Sequence, residues 1–454
     1  MKLIFTKTWA FIFNLINIFF KILDAILSIF LFLLCPILVC FLKLAFFRNS
    51  APASKKILFI GSSPPNKIYK VNEKNYSKII DESRNSQFTL PFFPHTYALY
   101  FCGSQKSIYK LTPKVITIVF PKKLKFQLFK RTFKVIRLFY ELPILTKLAK
   151  KINPSIIYTN IPGNNILISV LLKFITRRPL VAQVMGSYDL SSYNDSLETQ
   201  EGIKPFLLRN YNKILLSFAF RYCDLVLGFN KYCSDFSIHN GAHPSKVRNV
   251  RIIPHLMHGY EVEECFFPIS KLFNNSRLKH YMILWSRLSS EKRLRYAIEG
   301  ALKAMQARKD LGLIICGEGD LKESIEEQLL PVKERVYFAG YTHLTQLVSY
   351  IKQADIALIP LGGYALTEAA LLKTPIISFD IEWHRELLTD YVSGFIADYP
   401  NIDQLYSRII YILDHPKDAQ NIADKAYLQT MQMFNSVQQK FQEVIKEFFP
   451  EDTK

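Results

Sequence analysis

Short, wholly apolar runs recur along this chain, separated by longer segments of helical spacing, and that alternation constrains the fold more than any other feature. The first run lies inside "KKILFIG" (55–61) and ends at Gly61 in a tight turn. "VITIVF" (115–120), "SIIYT" (155–159), "LVAQV" (180–184), "DLVLG" (224–228) and "RII" (251–253) follow. A second series comprises "YMILW" (281–285), "LGLIICG" (311–317), "RVYFAG" (335–340), "DIALIP" (355–360), "PIIS" (375–378) and "GFIA" (394–397). Strands apolar on both faces belong to parallel sheets covered by helices on each side. The polar, proline-containing stretch 254–278 between the two series marks a boundary. The pattern predicts an α/β protein of two doubly wound, Rossmann-like domains facing a cleft, with ligands at the carboxyl ends of the strands. The expected division is 1–50, 51–260, 261–430 and a C-terminal helix over 431–454.

The first fifty residues differ in kind. "AILSIFLFLLCPILVCFL" (25–42) is 18 residues without a charge, between Asp24 and Lys43, and that reaches the length of a bilayer span. The region is read as a hydrophobic membrane anchor, spanning or re-entrant. Lys43, Arg48, Lys55 and Lys56 outnumber the lysines before the run, which favours domains facing the cytosol. The whole chain carries 58 Lys+Arg against 38 Asp+Glu, a net charge of +20, so an anionic partner is expected. Twelve of those cations and one acid fall in 110–151. Across 126–140, Lys130, Arg131, Lys134 and Arg137 lie opposite an apolar stripe, as on a helix that rests on anionic lipid. A solvated surface helix explains the same spacing. No nucleic-acid-binding module accompanies the charge, so nucleic acid is not an expected partner. Seven scattered cysteines without a CxxC pair encode neither a zinc site nor a disulfide framework, and no metal is expected.

The second series holds the candidate chemistry. In "ILWSRLSSEKR", Arg287 lies just past a strand and Lys292 five residues on, at an expected helix start, so that the pair suits a diphosphate. "CGEGD" (316–320) offers a Gly-x-Gly turn, which is more often structural than phosphate-binding. In "PLGGYALTEAALLKTP" (360–375), Gly362 and Gly363 precede a helix expected to begin near Ala365 or Leu366. Its first amides, from Tyr364 through Leu366, and its dipole suit an anion. Glu368, placed within about the first turn, is either an ordinary helix-start acid or an acceptor for two neighbouring hydroxyls. Asp189, after "VAQVMG", is a weaker candidate for a group on the opposite side of the cleft.

The order "RLSSEK … GEGD … ADIALIP … LTEAALLKTPIIS-D … E-L … SGFIAD" resembles the nucleotide-sugar half of family 4 retaining glycosyltransferases, which have the GT-B fold. The resemblance runs from about 280 to 414. It implies that Arg287 and Lys292 bind a donor diphosphate, that Glu368 holds a ribose, and that amides after Gly362 meet phosphate or sugar. No metal or other cofactor is implied. The first domain would then be the acceptor side and the second the nucleotide-sugar side. Pro360 departs from the family at the first glutamate of the donor motif, Ser286 replaces a common glycine, and Met185 stands where some relatives have histidine. Branches of the family carry a "D-x-x-WH-x-E" segment like "FDIEWHREL" here, which implies Glu382, Trp383, His384 and Glu386 at the cleft rim. The expected activity is transfer of a hexose, with retention, to a glycan or lipid-linked acceptor at a membrane. A catalytically degenerate binder of nucleotide or protein, an epimerase and a phosphorylase are the alternatives.

Overall fold

The computed structural model describes residues 23, 27, 34–47, 54–61, 95–103, 107–112, 115–121, 130–161, 165–184, 186, 214, 216–250, 266–274 and 277–449. Its elements form two sheets. The first unit contains α1 (Cys35–Phe47), β1 (Ser54–Gly61), β2 (His95–Gly103), β3 (Ser107–Thr112), β4 (Val115–Pro121), α2 (Lys130–Ile152), β5 (Pro154–Ile161), α3 (Asn165–Thr176), β6 (Leu180–Val184), β7 (Leu225–Gly228), α4 (Lys231–His239) and β8 (Val247–Asn249). The second contains β9 (His280–Trp285), α5 (Leu294–Ala307), β10 (Leu311–Cys316), α6 (Lys322–Gln328), β11 (Val336–Gly340), α7 (Leu344–Gln353), β12 (Ile356–Ile359), α8 (Tyr364–Leu371), β13 (Ile376–Phe379), α9 (His384–Leu387), β14 (Phe395–Ala397) and α10 (Ile402–Asp414). Helices α11 (Pro416–Asn435) and α12 (Val437–Phe448) follow.

The second sheet runs β11-β10-β9-β12-β13-β14, every pair parallel. All six residues of β10 are buried, as a strand covered on both faces requires. The order reverses direction between β9 and β12, and the carboxyl ends of those two strands form the crevice. The first sheet runs β3-β4-β2-β1-β5-β6-β7-β8, with its own reversal between β1 and β5. It departs from the expected parallel sheet at one edge, where β3 pairs antiparallel with β4. Only two residues separate Thr112 from Val115, too few for the crossover a parallel pair needs. β2 and β8 were not anticipated either, while the expected strand 251–253 lies outside the described residues.

α1 packs its inward side on α2 and α3, burying Cys35 and Leu42. Its outward side presents Pro36, Ile37, Cys40, Phe41, Leu44 and Ala45, all exposed and none charged. At 13 residues the helix is about 20 Å long, short of a bilayer core of about 30 Å. No described helix is long and apolar enough to cross a membrane. The expected span thus finds no support among the described residues, and the part of it before Leu34 lies mostly outside them. α2 begins at Lys130, so the start of the expected helix at 126 lies outside the description, as do the side chains of Lys130, Arg131, Lys134 and Arg137. Further along α2, Leu142, Leu145 and Ala149 are buried, while Lys147, Lys150 and Lys151 are exposed. Lys150 lies over the Phe46 ring of α1, 5.8 Å from its centroid.

The chain recrosses to the first unit at its far end. Val437, Phe441 and Ile445 of α12 are buried in a core that draws on both units. Arg248 of β8 pairs with Glu447 and stacks on Phe448, 4.9 Å from the ring centroid.

Candidate active site

β9 ends at Trp285, and the loop beyond it is held by the Gly-x-Gly turn after β10. Ser286 donates to the Cys316 carbonyl at 3.1 Å, Leu288 to that of Glu318 at 3.0 Å, and Leu321 back to Leu288 at 2.9 Å. Gly317 has φ +141, and a Cβ there would lie 1.8 Å from the Ser286 carbonyl oxygen. A Cβ on Gly319 would lie 2.2 Å from that of Leu288. The two glycines therefore let one loop lie against the next, and their work is structural. The loop they support presents Arg287, whose side chain is 68% exposed and meets Glu291 at 3.3 Å.

Lys292 closes a single 3₁₀ turn, Ser290–Lys292, and α5 begins only at Leu294, after Arg293 in the left-handed region (φ 55). It is thus near a helix start without being in one. Burial and then the like charge of Arg287 hold its ammonium below the usual lysine range, against the pull of Glu291 and Glu382. An anion placed between Arg287 and Lys292 would relieve that repulsion.

The Gly362 loop joins β12 to α8 across the crevice. α8 begins at Tyr364 with Gly363 (φ −91) as its cap residue, one residue before the expected start. Glu368 is consequently in the second turn, not the first. It accepts a hydrogen bond from the Trp285 indole at 3.0 Å, which fixes its carboxylate beside the end of β9. Neither glycine occupies the left-handed region. Gly362 is required for another reason, since a Cβ there would lie 2.7 Å from both Ile359 and Leu366. The Gly362 amide donates to His384 Nε2 at 3.1 Å, so the amides available to a ligand begin beyond it, in the opening turn of α8 that includes Tyr364, Ala365 and Leu366.

The segment expected at the cleft rim divides in two. Glu382 is half-buried, left-handed (φ 50), and close enough to Lys292 to raise its pKa. Trp383 and His384 are instead buried beneath the loop. Trp383 Nε1 donates to the Gly362 carbonyl at 2.9 Å, so the two residues grip both polar groups of one peptide position. Because His384 Nε2 accepts, its proton is on Nδ1, which meets Ser378 Oγ at 2.7 Å and the Phe379 carbonyl at 2.9 Å. Ser378 in turn donates to the Ile359 carbonyl at 2.7 Å. Burial, the largest influence, pushes the imidazole down to about 4 despite its hydrogen bonds to Phe379 and Gly362. Pro360, between Ile359 and this bracket, is itself buried.

Glu386 reaches the opposite unit. Its carboxylate accepts from the amides of Lys231 and Tyr232, both at 3.0 Å, the first two residues of α4. Asn230 caps the next amide, that of Cys233, at 2.7 Å. Beside this contact Phe229 meets Tyr364 edge-on at 5.6 Å and Trp383 at 5.8 Å, ring centre to ring centre. Sequence reasoning missed Trp285, Phe229 and the α4 amides, for their partners lie 83 to 155 positions away. Asp189 lies outside the described residues. Among the described residues no group of His, Cys, Asp or Glu is arranged to hold a metal ion.

Two facing α/β units, with cations and a helix start converging at the switch point of the second, constitute a GT-B fold. Residues 271–429 match the family model of glycosyl transferases group 1. Over 146 residues the chain is 20% identical to alpha-D-kanosaminyltransferase of Streptomyces kanamyceticus, covering 31% of this chain and 38% of that protein. Over 154 residues it is 24% identical to poly(glycerol-phosphate) alpha-glucosyltransferase of Bacillus subtilis, covering 33% and 23%. These matches span well under half the length of either relative. The fold extends further: Anabaena HepE, crystallised with UDP-glucose, superposes with a TM-score of 0.61 at 17% identity, covering 86% of this chain and 99% of that one.

Proposed function

We propose that the chain is a retaining glycosyltransferase, moving a hexose from a nucleoside diphosphate sugar to a glycan or lipid-linked acceptor at the cytosolic face of a membrane. The observation that carries this reading is the convergence of Arg287, Lys292, the start of α8 and Glu368 around the carboxyl ends of β9 and β12, inside the stretch that matches the family. Arg287 and Lys292 hold the diphosphate, and Glu368, oriented by Trp285, accepts from the ribose hydroxyls. As the glycosidic bond breaks, negative charge builds on the leaving diphosphate, where the two cations and the α8 dipole stabilise it. Glu382, coupled to Lys292, supplies a carboxylate for the sugar that Pro360 does not.

HepE was crystallised with UDP-glucose, so a uridine donor is the first to test. A thermal-shift panel of UDP-, GDP-, ADP- and CMP-sugars identifies the nucleotide, because a ligand bound to the native state raises its melting temperature. Arg287→Ala and Lys292→Ala are each expected to weaken binding of the nucleotide so found about tenfold, the cost of a lost charge-assisted hydrogen bond. Unchanged affinity in both variants overturns the diphosphate assignment. Pro360 favours a second reading, a nucleotide binder without catalysis. Release of nucleoside diphosphate from its sugar, abolished by Glu368→Ala, excludes that reading.

Membrane attachment is proposed through α1 and its surroundings. Apart from Lys43 the helix is apolar, and with one side packed on its own domain it presents on the other an uncharged apolar face that suits lipid. Lys43 within it and Lys147, Lys150 and Lys151 of the adjoining α2 match an anionic lipid surface. On this reading α1 lies on the bilayer, with its axis in the interface.

A further inference from the structure

Trp383, His384 and Glu386 fall within four consecutive residues, yet they act on opposite sides of the cleft. The first two hold Gly362 by its carbonyl and its amide, at 2.9 and 3.1 Å. The third sits on two amides of α4 in the first unit, both at 3.0 Å. We infer that this segment is a single positioning device through which closure of the two units sets the shape of the Gly362 loop. The inference rests on the loop being the donor site proposed above.

The physical case has three parts. First, the segment is stiff: Leu387 and Leu388 are buried, and α9 carries His384 and Glu386 on one turn. A displacement of Glu386 is therefore passed to His384. Second, the contact with α4 exists only when the units are together. Opening the cleft leaves two amides at the α4 start without Glu386 and separates Phe229 from both Trp383 and Tyr364, the first residue of α8. The carboxylate at the positive end of α4 is favoured by the helix dipole and by its own charge-assisted bonds. Third, both polar groups of Gly362 are held from behind by this segment. A glutamate at position 360 would offer a carboxylate to the ligand, whereas Pro360 is buried and the bracket behind it defines the backbone. Glu386, Trp383 and His384 are accordingly positioning residues. They need not touch the donor.

Amide hydrogen exchange on the full chain reads both ends at once. Glu386→Ala is expected to speed exchange in peptides covering 229–236 and, remotely, in those covering 360–366. Trp383→Phe should speed exchange at 360–366 and leave 229–236 close to the parent. Arg385→Ala, which removes only an exposed pair with Asp380 at 2.9 Å, serves as the control. UDP affinity of Glu386→Ala should fall about fivefold or more, the lower range of site-to-site coupling. A simple cap on α4 predicts faster exchange at 229–236 alone, with UDP affinity unchanged, and that result overturns the inference. Glu386→Gln keeps the side-chain shape and one acceptor oxygen, and carries the test if the alanine variant does not fold. Should the parent protein bind neither UDP nor any other nucleotide of the panel, the donor reading fails separately, since the exchange coupling between 229–236 and 360–366 is measured without ligand.

Discussion

His384 converts a familiar titratable side chain into a fixed strut. Buried, and supplied with an acceptor and a donor partner, it stays neutral down to about pH 4. In the unfolded chain the same ring takes a proton near pH 6.5. Between those values the unfolded state binds more protons, so stability is lost as the pH falls from about 6.5 to about 4. A depression of that size corresponds to roughly 3 kcal/mol. His384→Gln should flatten this part of the profile, measured as urea midpoints at pH 7.0 and 4.5. Equal losses in parent and variant would contradict the assignment. From sequence the "WH" pair is visible and its link to the loop is not. Ring nitrogens and an indole N–H advertise polarity, and only packing reveals that their partners are backbone atoms. Glu368 shows the same limit: its identity is legible at once, while its support by Trp285 bridges two strands.

The strands divide by how much of their information is their own. β5, β6, β9, β10, β12 and β13 are buried on both faces and announce themselves as apolar runs. β3, at a sheet edge, contains Ser107, Lys110 and Thr112 and is a strand because β4 offers it a partner; pairing of this kind is weakly encoded in local composition. The turn after β10 is the element on which the cation loop depends. Gly317→Ala would place a methyl group 1.8 Å from the Ser286 carbonyl oxygen at a φ of +141. Relief requires the 286–288 loop to move, and the strain alone costs about 1–3 kcal/mol. The variant should melt at lower temperature and also lose nucleotide affinity, although residue 317 itself bears no side chain to lose. Retained affinity in a destabilised protein would separate the turn from the Arg287 loop.

At the scale of the molecule, charge and hydropathy meet at α1. Substituting Ile37, Phe41 and Leu44 together by serine leaves the packed side of the helix intact, because all three are at least 64% exposed. The variant is expected to lose flotation with vesicles containing phosphatidylglycerol at least in part, and to keep its melting temperature. Binding equal to the parent's would assign attachment to the basic face of α2 or to residues before Leu34. The apolar run 25–42 was legible as a lipid-seeking sequence; that its last eight residues join a helix fastened to α2 and α3 was not, since those partners lie about a hundred residues on. α12 carries a different kind of consequence. The ribosome delivers Arg248 of β8 199 residues before Glu447, yet the two are paired in the finished fold. The first unit must therefore wait, partly uncovered, while the second is made. Any message cut short before α12 would yield two recognisable sheets and an open seam on the first, a surface for chaperones and proteases to read. Release of a sealed protein is in this way tied to completion of α12.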